Sequence, residues 1–152
     1  MENILELQQV SKTFPKSNFT LENVTFSLPY GSILGFVGEN GAGKTTTIGC
    51  ILNTIAKDSG TVKLFGKEMT DADTDMREKI GVVYDGDNFP AYWTAAQLAK
   101  VMAGFYKQWD NILFQKFLKE YKLPANQKIK QYSRGMTMKL AIAVALSHHP
   151  QL

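Results

Sequence analysis

At 152 residues, with 44% hydrophobic and 20% charged residues, the chain has the size of one domain and the composition of an ordinary globular protein. A formal net charge of +3, scattered along the chain, gives no argument for a nucleic-acid partner, and none is expected; no apolar run approaches the ~20 residues that span a bilayer. The single Cys50 excludes an internal disulfide, and Met1-Glu2-Asn3 is not a charged-then-apolar leader, so the expected setting is a reducing cytoplasm.

Leu5 and Leu7 alternate with Glu6 and Gln8, and Val24, Phe26 and Leu28 alternate with Thr25 and Ser27, which predicts two half-buried antiparallel strands. Pro29-Tyr30-Gly31 is the turn that follows, and Ser32-Ile33-Leu34-Gly35-Phe36-Val37 reads as a strand buried on both faces of a parallel sheet. Residues Gly38-Glu39-Asn40-Gly41-Ala42-Gly43-Lys44-Thr45 then form a complete G-x-x-x-x-G-K-[ST] phosphate loop. Its glycines let the backbone amides turn inward as an anion nest, Lys44 reaches the β- and γ-phosphates, and the Thr45 hydroxyl ligates Mg²⁺. The helix after it, with Ile48, Ile51, Leu52 and Ile55 at helical spacing, points its positive dipole end at the phosphates. Strand, loop and helix in this order imply a nucleoside triphosphate bound with magnesium.

Farther along, Ser59-Gly60 turns the chain into a strand over Thr61–Phe65, and Ile80–Tyr84 reads as another. Asp71, Asp73 and Asp75 alternate as in a calcium loop, but Met76 stands where the glycine is needed and Val82 where the bidentate Glu is needed, so calcium is rejected. From Asp85 on, helices take over. Thr94-Ala95-Ala96-Gln97 has capping-box spacing before Leu98, Val101, Met102 and Phe105, and Asp110 can cap a helix striped with Leu113, Phe114, Phe117, Leu118 and Tyr121. A last helix, Ser133 to Ser147, is apolar on nearly every side and is expected to be buried.

Joined to Tyr132-Ser133-Arg134-Gly135-Met136 at the start of that buried helix, the phosphate loop makes the whole chain resemble the ATP-binding subunit of an ABC transporter. Gly38, Asn40, Gly41, Ala42, Gly43, Lys44, Thr45 and Thr46 match the family's phosphate loop; Leu21–Phe26 and Ile80–Val83 match its second strand and its lead into the Q-loop. The resemblance implies an α/β fold: a P-loop NTPase core with an N-terminal antiparallel β subdomain and an inserted helical subdomain, the chain stopping before the Walker B strand. The expected divisions are 1–85, 86–131 and 132–152. ATP and Mg²⁺ are the implied ligands. Cofactor contacts would come from Phe14, stacked on adenine, from Gly38, Glu39, Asn40, Gly41, Ala42, Gly43, Lys44, Thr45 and Thr46, and in trans from Ser133 and Gly135. The other reading makes Phe14 a core residue and Ser133 an N-cap, a role compatible with the contact. Phe89, Pro90, Tyr92 and Trp93 fall where the family docks a membrane subunit, or they pack the helical subdomain.

Two departures stand out. The commonest family signature is L-S-G-G-Q, and only Ser133 and Gly135 of it remain; Ser-x-Gly-Met resembles bacterial exporters. Asp85 stands in place of the Q-loop glutamine, where it is either a magnesium contact beside Thr45 or part of a surface turn, Asp85-Gly86-Asp87-Asn88. The next strand is expected to begin at Pro150-Gln151-Leu152 and to carry the hydrolytic acids; no catalytic residue is assigned within the 152, and His148 and His149 precede the family's switch histidine. The implied partners are a second ATPase subunit, identical or not, and a transmembrane permease that would hold the protein on the inner face of the cell membrane. The alternatives are a soluble ABC-type ATPase acting on DNA or ribosomes and a small-molecule P-loop kinase.

Overall fold

The computed structural model describes residues 2–86 and 88–152, and the chain falls into two compact units, Met1–Thr74 and Asp75–Leu152. Residues 75–85 thus belong with the helices, whereas the sequence put a division at 85. In the first unit, β1 (Asn3–Phe14), β2 (Phe19–Pro29), β3 (Ser59–Leu64) and β4 (Lys67–Glu68) make one antiparallel sheet in the order β2-β1-β3-β4. The alternation does what it predicts: Leu5, Leu7, Val10, Leu21, Leu28, Val62 and Leu64 are buried, with Leu7 opposite Phe26 on one side and Val62 on the other. The strand β1 is irregular at Gln9, which takes a left-handed φ of 51° within a register shift against both β2 and β3. Gly60, at φ +81°, lies so close beneath that bulge that a Cβ would run into the Gln9 carbonyl oxygen, so glycine is required there.

Helix α1 (Lys44–Ile51) follows the phosphate loop, and it buries Thr47, Gly49 and Cys50 rather than the expected isoleucine stripe; Ile48 is exposed. The segment Ser32–Val37 is not a strand, and Ile33 and Val37 are 100% and 93% exposed. The cause is a lack of neighbours. A central parallel strand draws its backbone partners and its cover from both sides, and among the described residues the four strands of the sheet pair only with one another.

The short helix α2 (Thr74–Arg77) crosses the division, and α3 (Ala95–Phe105), α4 (Asn111–Glu120) and α5 (Arg134–Leu146) build the second unit. Its core gathers Leu98, Phe114, Leu118, Ile129, Leu140 and Val144, with Phe89 and Trp93 packed against it. The caps are those the sequence calls for. Thr94 Oγ1 accepts from Gln97 N at 3.2 Å while Gln97 Oε1 accepts from Thr94 N at 3.0 Å, and Asp110 Oδ1 accepts from Leu113 N at 2.8 Å. Ile80–Tyr84 is not a strand either, yet backbone pairing is present at its start: Gly81 N donates to Leu152 O at 2.8 Å and Leu152 N to Lys79 O at 3.2 Å, the slanted exchange of parallel strands. His148 is buried, stacked on Tyr106 at 4.0 Å, and its Nε2 lies 3.1 Å from Ile80 O; as that carbonyl can only accept, Nε2 carries the proton.

Candidate nucleotide-binding site

The phosphate loop is shaped by its own backbone. Gly41 and Gly43 take φ of +87° and +97°, and Ala42 N donates to Glu39 O at 3.2 Å, which closes the turn. At Gly43 the positive φ and crowding coincide, because a Cβ would stand 2.7 Å from Leu21 Cδ1 and 3.1 Å from Phe19 Cζ of β2. That contact seats the loop on the sheet. The Lys44 ammonium folds back over the loop and donates to Gly38 O and, at 2.8 Å, to Glu39 O. Among the described residues Lys44 has no acidic partner, so an arriving phosphate would gain it without first breaking an ion pair there.

Side chains cap α3, α4 and α5, from Thr94, Asp110 and Ser133; α1 has Gly43 at its N-cap, no capping side chain and no acid in its first turn. Its first-turn amides therefore remain for an anion. They border a cavity of about 400 Å³ lined by Phe19, Asn40, Gly41, Gly43, Lys44, Thr45 and Thr46. The Thr45 side chain is exposed toward solvent, whereas Thr47 is buried with its hydroxyl on Gly43 O at 2.9 Å. This donor set fits a magnesium-bound triphosphate: helix-start amides with no capping side chain, a lysine with no acidic partner among the described residues, and the exposed Thr45 hydroxyl.

Phe14 ends β1 directly across the hairpin from Phe19, the ring centroids 6.3 Å apart, with Lys12 Nζ 5.6 Å from the Phe14 centroid. Both rings are half-buried. Phe19, not among the site residues expected from the sequence, is the ring that lines the phosphate-loop cavity. Its signal was present in the hairpin: the four-residue turn from Pro15 to Asn18 places Phe14 and Phe19 opposite each other.

In the second unit, Ser133 caps α5 by accepting from Met136 N at 3.2 Å. The cap uses the oxygen as acceptor and leaves the hydroxyl proton to donate, so capping and phosphate contact are compatible. Gly135 is exposed, and a Cβ there would meet only Ser133 Oγ at 3.9 Å. Among the described residues nothing else stands within 4 Å of that position. Asp85 is held by Arg134, whose Nη2 lies 3.1 Å and 3.0 Å from the two carboxylate oxygens. Those are the oxygens the sequence reading offered to magnesium, so the two roles compete. Of the aromatic set, Phe89 and Trp93 pack on the helical core, while Tyr92 is exposed with Lys130 Nζ 4.6 Å and Lys128 Nζ 6.0 Å from its ring centroid.

The sequence profile of the ABC transporter family matches residues 21–152. This chain belongs to the ABC transporter family. Among curated relatives it is 28% identical over 151 residues to the ABC transporter ATP-binding protein YtrB of Bacillus subtilis (strain 168), covering 98% of this chain and 50% of YtrB. It is 33% identical over 162 residues to the methionine import ATP-binding protein MetN 1 of Listeria innocua serovar 6a (strain ATCC BAA-680 / CLIP 11262), covering 98% of this chain and 48% of that protein. The chain thus spans about half the length of these curated relatives. Among solved structures, the ATP-binding cassette MJ0796, a dimer in a post-hydrolysis state with ADP and Pi, superposes with a TM-score of 0.79 at 24% identity, covering 96% of this chain and 70% of that one. The fold is therefore that of an ABC ATPase with its N-terminal antiparallel sheet. Among the described residues no helix is long and apolar enough to cross a membrane.

Proposed function

We propose that these residues are the nucleotide-binding portion of the ATPase component of an ABC transporter, in which two subunits clamp ATP head to tail and drive a membrane permease. The observation that carries this is a pair of exposed, complementary ends: an uncapped helix behind Lys44, and a second helix start offering Ser133 and Gly135 outward. The loop amides and Lys44 would hold the β- and γ-phosphates, the Thr45 hydroxyl would hold magnesium, and Phe14 would carry the base. Asp85 would reach magnesium only by leaving Arg134. Magnesium itself would neutralise phosphate charge, and phosphoryl transfer to water depends chiefly on such positioning and neutralisation. The Ser133 hydroxyl and Gly135 amide would close on the γ-phosphate bound by the other subunit, so that ATP binding draws the pair together and hydrolysis releases it. Through its permease the protein would sit on the cytoplasmic face of the membrane.

The dimer is testable by sedimentation in the complete subunit. MgATP should shift it from monomer to dimer, and Gly135→Asp, which puts a carboxylate against the γ-phosphate, should abolish the shift while MgATP still binds. A dimer indifferent to Gly135→Asp would remove Ser133–Gly135 from the interface. For direction we propose export, on the Ser-x-Gly-Met form of the signature; the 33% identity to a protein named for methionine import favours the opposite. The side of the vesicle on which cargo accumulates, with ATP supplied outside, separates the two.

A further inference from the structure

Two of the positions at which this chain departs from its family's pattern, Asp85 and Arg134, are 49 residues apart in sequence and touch in the structure. We propose that Asp85 and Arg134 are a matched positioning pair that sets the start of α5, and with it Ser133 and Gly135; this rests on the reading of those two residues as the phosphate contact. Three observations converge on it. First, Arg134 is the first residue of α5 and lies between Ser133 and Gly135, where a cation opposes the helix dipole. The Asp85 carboxylate restores a negative charge to that helix end, supplied from another part of the chain.

Second, the turn carrying Asp85 is built to present it. Asn88 Nδ2 donates to Tyr84 O at 2.7 Å and to Gly86 O at 3.0 Å, bracketing Asp85 from both sides, and Gly86 takes φ +109°. Third, the other end of the segment is already anchored by Gly81 N on Leu152 O and by the His148 ring on Ile80 O, while Val82, Val83 and Tyr84 between the anchors are exposed. The ion pair is thus the tie at the far end of residues 80–86. It stands at an open cavity of about 650 Å³ that Phe89, Lys130, Tyr132 and Thr137 also line. Its side chains are 69% and 85% exposed, for Asp85 and Arg134 respectively, so it is a weak tie, suited to setting a position rather than to holding the fold.

A charge-swap cycle tests the pair in the complete subunit. Asp85→Arg and Arg134→Asp each juxtapose like charges and should each lower ATPase kcat by about two- to fivefold, the scale of an exposed pair. KM for ATP and the thermal midpoint should not move, and the double swap should recover kcat. Higher salt should shrink the differences, because the pair is exposed. Losses that multiply in the double swap, or a change in KM, would overturn the proposal. Without nucleotide, the Gly135 amide resonance should shift in each single variant and return in the double; failure to return overturns the pair whatever the turnover shows. If the resonance behaves as expected but kcat is unchanged throughout, the pair sets the helix start and it is the phosphate role of Ser133 and Gly135 that fails.

Discussion

Phe14 and Phe19 face each other across a hairpin, and only one of them can be the main platform for a base. Phe19 is committed to Gly43: its ring holds the phosphate loop on β2, 3.1 Å from where a Cβ would stand. Phe14 has no such duty, and we expect it to stack on adenine. Phe14→Ala should weaken ATP and GTP alike, by roughly 1–3 kcal/mol, because a π-face reads no base edge. Phe19→Ala should instead disturb the loop and weaken inorganic polyphosphate, which has no base, along with ATP, GTP and ADP. Equilibrium titration of each variant with the four ligands checks both; base-dependent loss at Phe19 with none at Phe14 would exchange their roles. The phosphate-loop motif was legible in the sequence, since it is written in eight adjacent residues. The Phe19 contact and the Asp85–Arg134 pair were less so, because each needs a partner that only the folded chain brings near.

Local signals carry the helices. Thr94 with Gln97, Asp110 with Leu113 and Ser133 with Met136 all cap as their spacing demands, and each acts within one turn. Asp110 adds a pH dependence. Its carboxyl is held below the usual value first by the Leu113 amide and then by the His149 ring, whose Nε2 lies 3.1 Å from Oδ2. A carboxylate with a lowered folded pKa contributes stability that is complete above its unfolded value and is lost as pH falls through the folded one. Thermal melts should therefore show a wild-type advantage over Asp110→Ala at pH 6 that narrows as pH drops below the ordinary carboxylate range. Asp110→Asn should keep most of the cap and lose the pH dependence; an advantage constant down to strongly acidic pH would contradict the assignment. The two expected parallel strands, Ser32–Val37 and Ile80–Tyr84, show where local reading ends. Their apolar runs were plain, but a strand of this kind forms only beside another, and pairing begins just at Gly81 with Leu152.

On the scale of the whole molecule, each unit keeps an apolar segment uncovered, Ile33 to Val37 in one and Val82 to Tyr84 in the other, and each presents a helix start to solvent. Composition and length gave one ordinary globular domain, the family resemblance gave the α/β class and the order of parts, and the match over residues 21–152 secures the family. The division at Thr74 was not legible, because helix α2 and the loops beside it carry no break in composition. The central claim is that this chain binds MgATP through the loop at Gly38–Thr45, with Lys44 as its one mobile cation toward the phosphates. Calorimetric titration of MgATP into the folded protein and into Lys44→Ala tests it most directly. The account predicts saturable, magnesium-dependent binding that falls at least about tenfold, ~1.4 kcal/mol, when Lys44 is removed; equal affinity in the two proteins, with both shown to be folded, would contradict it.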